Sequence, residues 1–249
     1  VDFRGDYHLH STYSDGRGTL AAMAEAGARR GLEELGFAEH GPRNIGTGIK
    51  SEDLLLQLRE EIKQVQQQLR AEYPQLTIYT AVEANVISRD GRIDLSWKAI
   101  RALDYLIVGL HPFVRPAKVS EIPWLAGNSL VNVFPGLGRR RRISNENTKA
   151  LVEAIYRYEP RAISHPGLKM TIDLAETAQA CLAKGTCWEI NTGHKFPDYQ
   201  TVRELAAWGV DFLVNSDAHF PESVGALEYG AWVLEKAGVP PEQIKNARR

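Results

Sequence analysis

The sequence predicts an α/β fold in which seven strands, each followed by a helix, close into a TIM-like (β/α)7 barrel. Short apolar runs alternate with helical patterns from one end to the other, which implies parallel strands joined by right-handed crossovers. Histidines and carboxylates fall at the C-terminal ends of the predicted strands, and only a closed barrel brings the first of these ends next to the last. The chain has 249 residues, enough for a sizeable core.

The first strand covers Tyr7 to Leu9, and a helix from Thr19 to Arg30 follows, closed by Gly31. Leu35 to Ala38 reads as the second strand. The helix from Ser51 to Glu72 has the clearest pattern: Leu54, Leu58, Ile62, Val65 and Leu69 share one helical face, with Ser51 as the expected N-cap. Thr77 to Val82, rich in β-branched and aromatic residues, is the third strand. A short helix around Ser96 to Leu103 leads to the fourth, Tyr105 to Val108. The stretch from Pro112 to Ile143 contains Pro116, Pro123 and Pro135, ends in the basic run Arg139 to Arg142, and is expected to be irregular. A helix from Asn145 to Tyr158 then precedes a strand at Ala162 to Ser164. A helix from Leu174 to Lys184 precedes a strand at Cys187 to Ile190. A helix from Tyr199 to Trp208 precedes a strand at Phe212 to Val214, and a last helix spans Val224 to Ala237.

Composition is that of a globular protein, 43% hydrophobic and 24% charged, with a formal net charge of -1. That balance calls for neither nucleic acid nor an anionic membrane as an obligatory partner. No apolar run approaches the ~20 residues of a membrane helix. The N-terminus, Val1-Asp2-Phe3-Arg4, is not a signal peptide, and a start at Val1 is expected of a trimmed chain. Cys181 and Cys187 are expected to be free, buried thiols, which fits a cytoplasmic protein.

Six of the seven histidines lie at or just beyond a predicted strand end: His8 and His10, His40, His111, His165 and His219. Glu83 ends the third strand, Asp15 lies in the first loop, and Asp217 precedes His219. On a strand, His8 and His10 point the same way. Imidazoles and carboxylates crowded into one mouth would repel or lack partners, and divalent cations relieve both problems. Mixed nitrogen and oxygen donors suit Zn, Mn or Fe better than Mg or Ca. Nine donors are too many for one ion and suit two or three.

These residues resemble the PHP (polymerase and histidinol phosphatase) superfamily over nearly the whole chain. Gly5-Asp6-Tyr7-His8-Leu9-His10-Ser11 through Ser14-Asp15-Gly16 is similar to its first motif, and Phe37-Ala38-Glu39-His40 to its second, with Glu39 where the family usually has Asp. Glu83 and His111 carry the third, and His165 with Ser216-Asp217-Ala218-His219 the last. The stretch Val82-Glu83-Ala84-Asn85 and the segments Ile163 to Gly167 and Glu189-Ile190-Asn191 are especially like standalone YcdX-type phosphatases. Asp15 stands where those proteins tend to have histidine; the Ser-Asp-Gly version is commoner in PHP domains attached to family X DNA polymerases and in some standalone proteins.

The resemblance implies a distorted seven-stranded barrel of the PHP fold, with residues 1–249 as a single phosphoesterase domain. It implies three divalent ions per chain. His8, His10, Glu83 and Asp217 would hold one; Glu83 would bridge to a second held by His111 and His165; Asp15, His40 and His219 would hold the third. A hydroxide bridging the metals would attack phosphorus. Glu83, Asp217, His219 and His194 are the catalytic candidates, His194 as a proton donor beyond the sixth strand. Arg17, Arg43, Lys169, Asn191 and Lys195 are the candidates for holding substrate. The expected activity is hydrolysis of a phosphomonoester on a small phosphorylated metabolite. The alternatives are a histidinol-phosphate phosphatase, a phosphodiesterase or 3'-5' exonuclease, and a non-catalytic metal-binding scaffold. A nucleic acid partner is the less favoured one.

Overall fold

The computed structural model describes residues 1–133 and 140–248. Seven parallel strands are hydrogen-bonded in sequence order: β1 (Gly5–Leu9), β2 (Glu34–His40), β3 (Thr77–Asn85), β4 (Tyr105–Gly109), β5 (Ala162–Ile163), β6 (Cys187–Asn191) and β7 (Phe212–Asn215). Helices α1 (Leu20–Arg29), α2 (Leu54–Leu69), α3 (Trp97–Ile100), α4 (Ile122–Val133), α5 (Arg140–Tyr158), α6 (Leu174–Lys184), α7 (Tyr199–Ala207) and α8 (Glu228–Ala237) connect them. The largest apolar cluster joins the strands to α1, α2 and α5 to α8. A smaller one, Tyr7, Ala162, Cys187 and Leu213, fills the barrel floor.

Local chemistry sets the ends of these elements. The side chains of Thr19, Asp173 and Asp198 accept hydrogen bonds from first-turn amides of α1, α6 and α7. Gly185 and Gly238, both left-handed, end α6 and α8. Helix α2 buries Leu55, Leu58, Ile62 and Val65, but it starts at Leu54 and Ser51 does not cap it. The carbonyls of Ser51 and Glu52 accept from Leu54 N and Leu55 N instead, in a turn leading into the helix.

The expectation of an irregular stretch from 112 to 143 is corrected over most of its length. It contains a 3-10 turn at Val119–Glu121, helix α4 and the start of α5. Pro123 sits in the first turn of α4, where its missing N–H has no partner to lose. Gly127 lets α4 approach α5: a Cβ there would lie 3.0 Å from Ile143 Cδ1. Pro135 and Arg139 lie outside the described residues. The last helix starts at Glu228, because Pro221–Ser223 forms a 3-10 turn before it.

The barrel is nearly closed. At the mouth, β1 meets β7 through a parallel bridge between Leu9 and Ala218, with His10 N donating to Ala218 O at 2.9 Å. Asp6 accepts from Ser216 N and Gly225 N, and Asn215 Oδ1 accepts from Tyr7 N. At the floor, the C-terminal segment fills the seam. Buried Asn246 donates to Gly5 O at 2.8 Å and Val214 O at 2.7 Å, and accepts from Val214 N at 3.1 Å.

A bulge in β1 governs what faces inward. Asp6 pairs with Leu35 and Leu9 with Phe37, so Tyr7 and His8 together oppose the single residue Gly36. Tyr7 joins the floor cluster while His8 joins the mouth. Gly36 has no room for a side chain, since a Cβ would overlap the Tyr105 hydroxyl at 1.6 Å.

Candidate metal centre

Each strand end delivers side chains to the same mouth. Along β2 and β3 alternate residues share a face, so Ala38 lies below His40 and Ala81 below Glu83. His10, Asp15, His111, His165, Asp217 and His219 lie just beyond strands, in the loops of the mouth. His165 and Asp217 have left-handed backbone, with φ of 27° and 55°. Such strain in non-glycine residues persists where the surroundings hold a side chain in a required direction.

Glu83 stands at the centre and is fully buried. Its Oε2 is 2.7 Å from His40 Nδ1 and 3.6 Å from His8 Nε2. Its Oε1 is 3.2 Å from His111 Nε2 and 3.1 Å from His165 Nε2, and accepts a hydrogen bond from Ser164 Oγ at 2.6 Å. Asp217 Oδ1 lies 3.1 Å from His10 Nε2 and 3.7 Å from His8 Nε2. Asp15 Oδ1 lies 3.3 Å from His219 Nε2 and 3.5 Å from His40 Nε2. The nine residues with metal-binding side chains in the sequence motifs are thus in one cluster.

Four overlapping groups have donor atoms within 4.8 Å of one another: His10, Asp15, His40 and His219; His8, His10 and Asp217; Glu83, His111 and His165; and His165, His194 and Asp217. Two of them share His10, two share Asp217 and two share His165. His194 adds a donor that the family motif leaves out; its Nε2 is 3.4 Å from Asp217 Oδ2.

The donor set fits divalent cations. His8 Nε2, both nitrogens of His10 and His111, His40 Nδ1, Asp15 Oδ1, Glu83 Oε2 and Asp217 Oδ1 are buried and make no hydrogen bond. They approach one another closely without hydrogen-bond geometry, as atoms aimed at a shared point do. Unpaired buried polar atoms are costly, and cations coordinated by nitrogen and oxygen donors would satisfy the carboxylate oxygens and one nitrogen of each ring.

The electrostatics agree. Burial opposes the charge of Glu83 and of Asp217, yet the histidines around them hold both carboxyls well below the usual range. Burial likewise opposes a charge on His8, but Glu189, Asp217 and Glu83 raise its pKa well above that of a free imidazole. His219 is raised to about 9, against burial, by Asp15 and Asp217. Burial and the neighbouring His40 push His10 down to about 3, which keeps its ring neutral. The pocket therefore favours positive charge while leaving His10 free to ligate.

Residues that motif spacing does not single out hold this arrangement. Buried Glu189 accepts from His8 Nδ1 at 2.7 Å, fixing the tautomer that turns Nε2 to the centre, and also from His165 N and Asn215 Nδ2. Its signal in the sequence is a carboxylate amid the apolar strand Cys187-Trp188-Glu189-Ile190. Glu39 accepts from Ser11 and Ser14 and shapes the loop that carries Asp15.

The substrate-binding candidates separate. Lys169 and His194 line a cavity of about 320 Å³ over the cluster, with Asn44, Ile45, Thr47 and Phe113. Asn191 is buried and donates to Asp217 Oδ2 at 2.9 Å while accepting from His194 N, so it braces the site from beneath. Arg17 is exposed, its guanidinium over the Phe220 ring, and Lys195 is exposed; neither lines this cavity. Arg43 lines a different recess and donates to Pro116 O at 2.8 Å. Arg140, Arg141 and Arg142 open α5, with Arg142 paired to Glu146.

Comparisons with known proteins agree with this architecture. A model of the PHP domain family matches residues 6–192. The DNA polymerase/3'-5' exonuclease PolX of Bacillus subtilis is 24% identical over 98% of this chain, which spans 39% of that protein's length. A "probable phosphatase" of Caldanaerobacter subterraneus is 27% identical over 97% of this chain and 86% of its own. The chain superposes on the histidinol phosphate phosphatase of Lactococcus lactis, solved with zinc, L-histidinol and phosphate, with a TM-score of 0.67 at 16% identity, covering 96% of this chain and 95% of that one. It also superposes on a structure from the YwqE and CpsB metal-dependent tyrosine phosphatases of Bacillus subtilis and Streptococcus pneumoniae, with a TM-score of 0.54 at 17% identity, covering 96% and 89%.

Proposed function

This chain belongs to the PHP domain family, and from that premise we propose that it is a metal-dependent phosphomonoesterase acting on a small phosphorylated metabolite through a three-ion centre. The observation that carries the reading is the convergence of buried, unpaired nitrogen and oxygen atoms around Glu83 and Asp217 beneath an open cavity. In this reading residues 1–249 act as one phosphoesterase unit. His8, His10, Glu83 and Asp217 hold one ion, Glu83, His111 and His165 a second, and Asp15, His40 and His219 the third. The ions are of the Zn, Mn or Fe type, which this mixture of imidazole and carboxylate suits. When bound, they supply Lewis acidity that activates water and neutralises charge on the phosphoryl group.

The remaining work falls to the chain. Glu189 and Ser164 keep His8 and Glu83 in their ligating orientations. Lys169 faces the cavity, where its ammonium offers charge to phosphoryl oxygens. His194 is the group placed to hand a proton from Nε2 to the departing ester oxygen. Burial lowers its pKa, so the charged, proton-donating form is favoured only below the usual imidazole range. Asn191 positions both His194 and Asp217. The two buried free thiols, Cys181 and Cys187, fit a reducing, cytoplasmic setting. Among the described residues no helix is long and apolar enough to cross a membrane.

A second reading, a phosphodiesterase or 3'-5' exonuclease, is favoured by the match to PolX over nearly all of this chain. Steady-state turnover of p-nitrophenyl phosphate, bis-p-nitrophenyl phosphate and a labelled DNA single strand separates the two. The monoester is expected to be the best substrate. A strong preference for the strand would replace the first reading by the second, and no turnover of any ester by metal-loaded protein would reject both.

A further inference from the structure

The loops that follow β2 and β4 pair with each other above the barrel. Ile45 N donates to Phe113 O at 2.9 Å, Arg115 N donates to Arg43 O at 2.9 Å, and Asn44 and Val114 form an antiparallel bridge. Two spaces adjoin this two-stranded wall. Asn44, Ile45 and Phe113 line the cavity over the histidines. Arg43 and Arg115, with Lys50, line a separate recess of about 590 Å³.

The wall is latched in place. Arg43 Nη1 donates to Pro116 O at 2.8 Å and Arg115 Nη2 to Pro42 O at 2.7 Å. Beneath it, buried Asp94 accepts from Arg43 N at 3.0 Å, Asn85 N at 2.8 Å and Asn85 Nδ2 at 2.6 Å. Gly41 is required there, because a Cβ would lie 2.4 Å from Asp94 Oδ2.

Charge in the recess is unbalanced. Its two carboxylates are committed elsewhere: Asp94 as above, and Glu52 to Ser96 N and Ser96 Oγ, both at 2.6 Å. Among the described residues no carboxylate lies within ion-pair distance of Arg43, Lys50 or Arg115. Each guanidinium is held by one backbone carbonyl and keeps further donors for a ligand. The three cations outnumber the two carboxylates of the lining by one, and a multivalent anion would add charge-assisted hydrogen bonds to the guanidiniums.

We propose that this recess is a second phosphate subsite, and that the metal centre therefore acts on small molecules carrying two phosphate groups. The scissile phosphate would sit at the histidines and the second phosphate at Arg43, Lys50 and Arg115. The body between them would cross the wall over Ile45 and Phe113, which are 58% and 66% exposed. The inference rests on the reading of the histidine cavity as a phosphoesterase site.

The test compares kcat/KM for a hexose bisphosphate with kcat/KM for p-nitrophenyl phosphate in the metal-loaded wild type and in Lys50→Gln and Arg115→Gln. Lys50 takes no part in the latch, so its variant keeps the test independent of folding. The ratio is expected to fall about tenfold in each variant, the factor for one lost charge-assisted hydrogen bond, and through KM rather than kcat. An unchanged ratio in Lys50→Gln overturns the proposal. So does a loss confined to a 5'-phosphorylated oligonucleotide, which would assign the recess to a nucleic acid strand. If the wild type hydrolyses neither small ester, the phosphoesterase reading has failed. Calorimetric titration with the bisphosphate then judges the recess alone: about tenfold weaker binding to Lys50→Gln upholds the subsite, and equal binding overturns it.

Discussion

The mouth and the floor of the barrel are built from the same strands and treat their polar groups in opposite ways. At the floor the Tyr7 hydroxyl donates to Glu34, the Tyr105 hydroxyl donates to Tyr7 O at 2.6 Å, and the Arg161 guanidinium lies 4.4 and 5.3 Å from the centres of those two rings. At the mouth, among the described residues, nine of the twelve buried side-chain nitrogen and oxygen atoms that lack a hydrogen bond are gathered around Glu83 and Asp217. The floor pairs most of its polar groups within the fold and serves stability. The mouth keeps its strongest donors unspent and is completed only by a ligand, so its residues contribute to function more than to folding.

That contrast is broken most directly at Glu83. Glu83→Ala is expected to lower kcat/KM by about 10³-fold or more, because it removes a group shared between two proposed metal positions, with His10→Ala similar, because it removes a donor of the first. Thermal melting of the ion-free proteins should show both variants folded, since each deletes buried polar atoms that lack a partner, Oε2 of Glu83 and both ring nitrogens of His10. Full activity in both would mean that the mouth is not the reactive end. Asn246→Ala tests the other end. It removes three buried hydrogen bonds at the floor of the seam and is expected to cost about 3 kcal/mol in urea unfolding, with kcat unchanged. A large loss of kcat in the folded fraction would show that the two ends are coupled.

The difference between the ends also marks what was legible in the sequence. Strands and helices are readable because each carries its own period, and the clustered histidines and carboxylates are readable because they stand one after another at strand ends. The floor is not: Tyr7 faces inward only because a bulge sets two residues of β1 against Gly36, and a single extra residue in a ladder leaves no mark in a pattern of apolar residues. Helix α4 is masked by Pro123 and Gly127, which read as breakers until the first turn and the contact with Ile143 accommodate them. Arg43 looks like a phosphate clamp at the histidines because it follows His40 by three residues, but its guanidinium donates to Pro116 O and it lines a separate recess. Glu189 stands in a segment that resembles the family, but its role escapes notice because its partners, His8 and Asn215, come from distant strands.

Two smaller effects sharpen the contrast. Glu189→Gln keeps the shape of the acceptor for His8 but removes its charge, and should weaken metal binding about 10–100-fold in a chelator competition. Unchanged affinity would confine Glu189 to a structural role. Tyr105→Phe removes one floor hydrogen bond and is expected to cost about 1 kcal/mol in urea unfolding, with metal content unchanged. Loss of metal in that variant would contradict the separation of floor from mouth.

The most direct measurement is elemental analysis of the purified protein, alongside Glu83→Ala, after incubation with Zn, Mn or Fe and removal of loose ions. Three transition-metal ions per folded wild-type chain, with a clear deficit in Glu83→Ala, is the result that this account requires. A folded wild type that takes up none, or a variant that holds as many ions as the wild type, would contradict it.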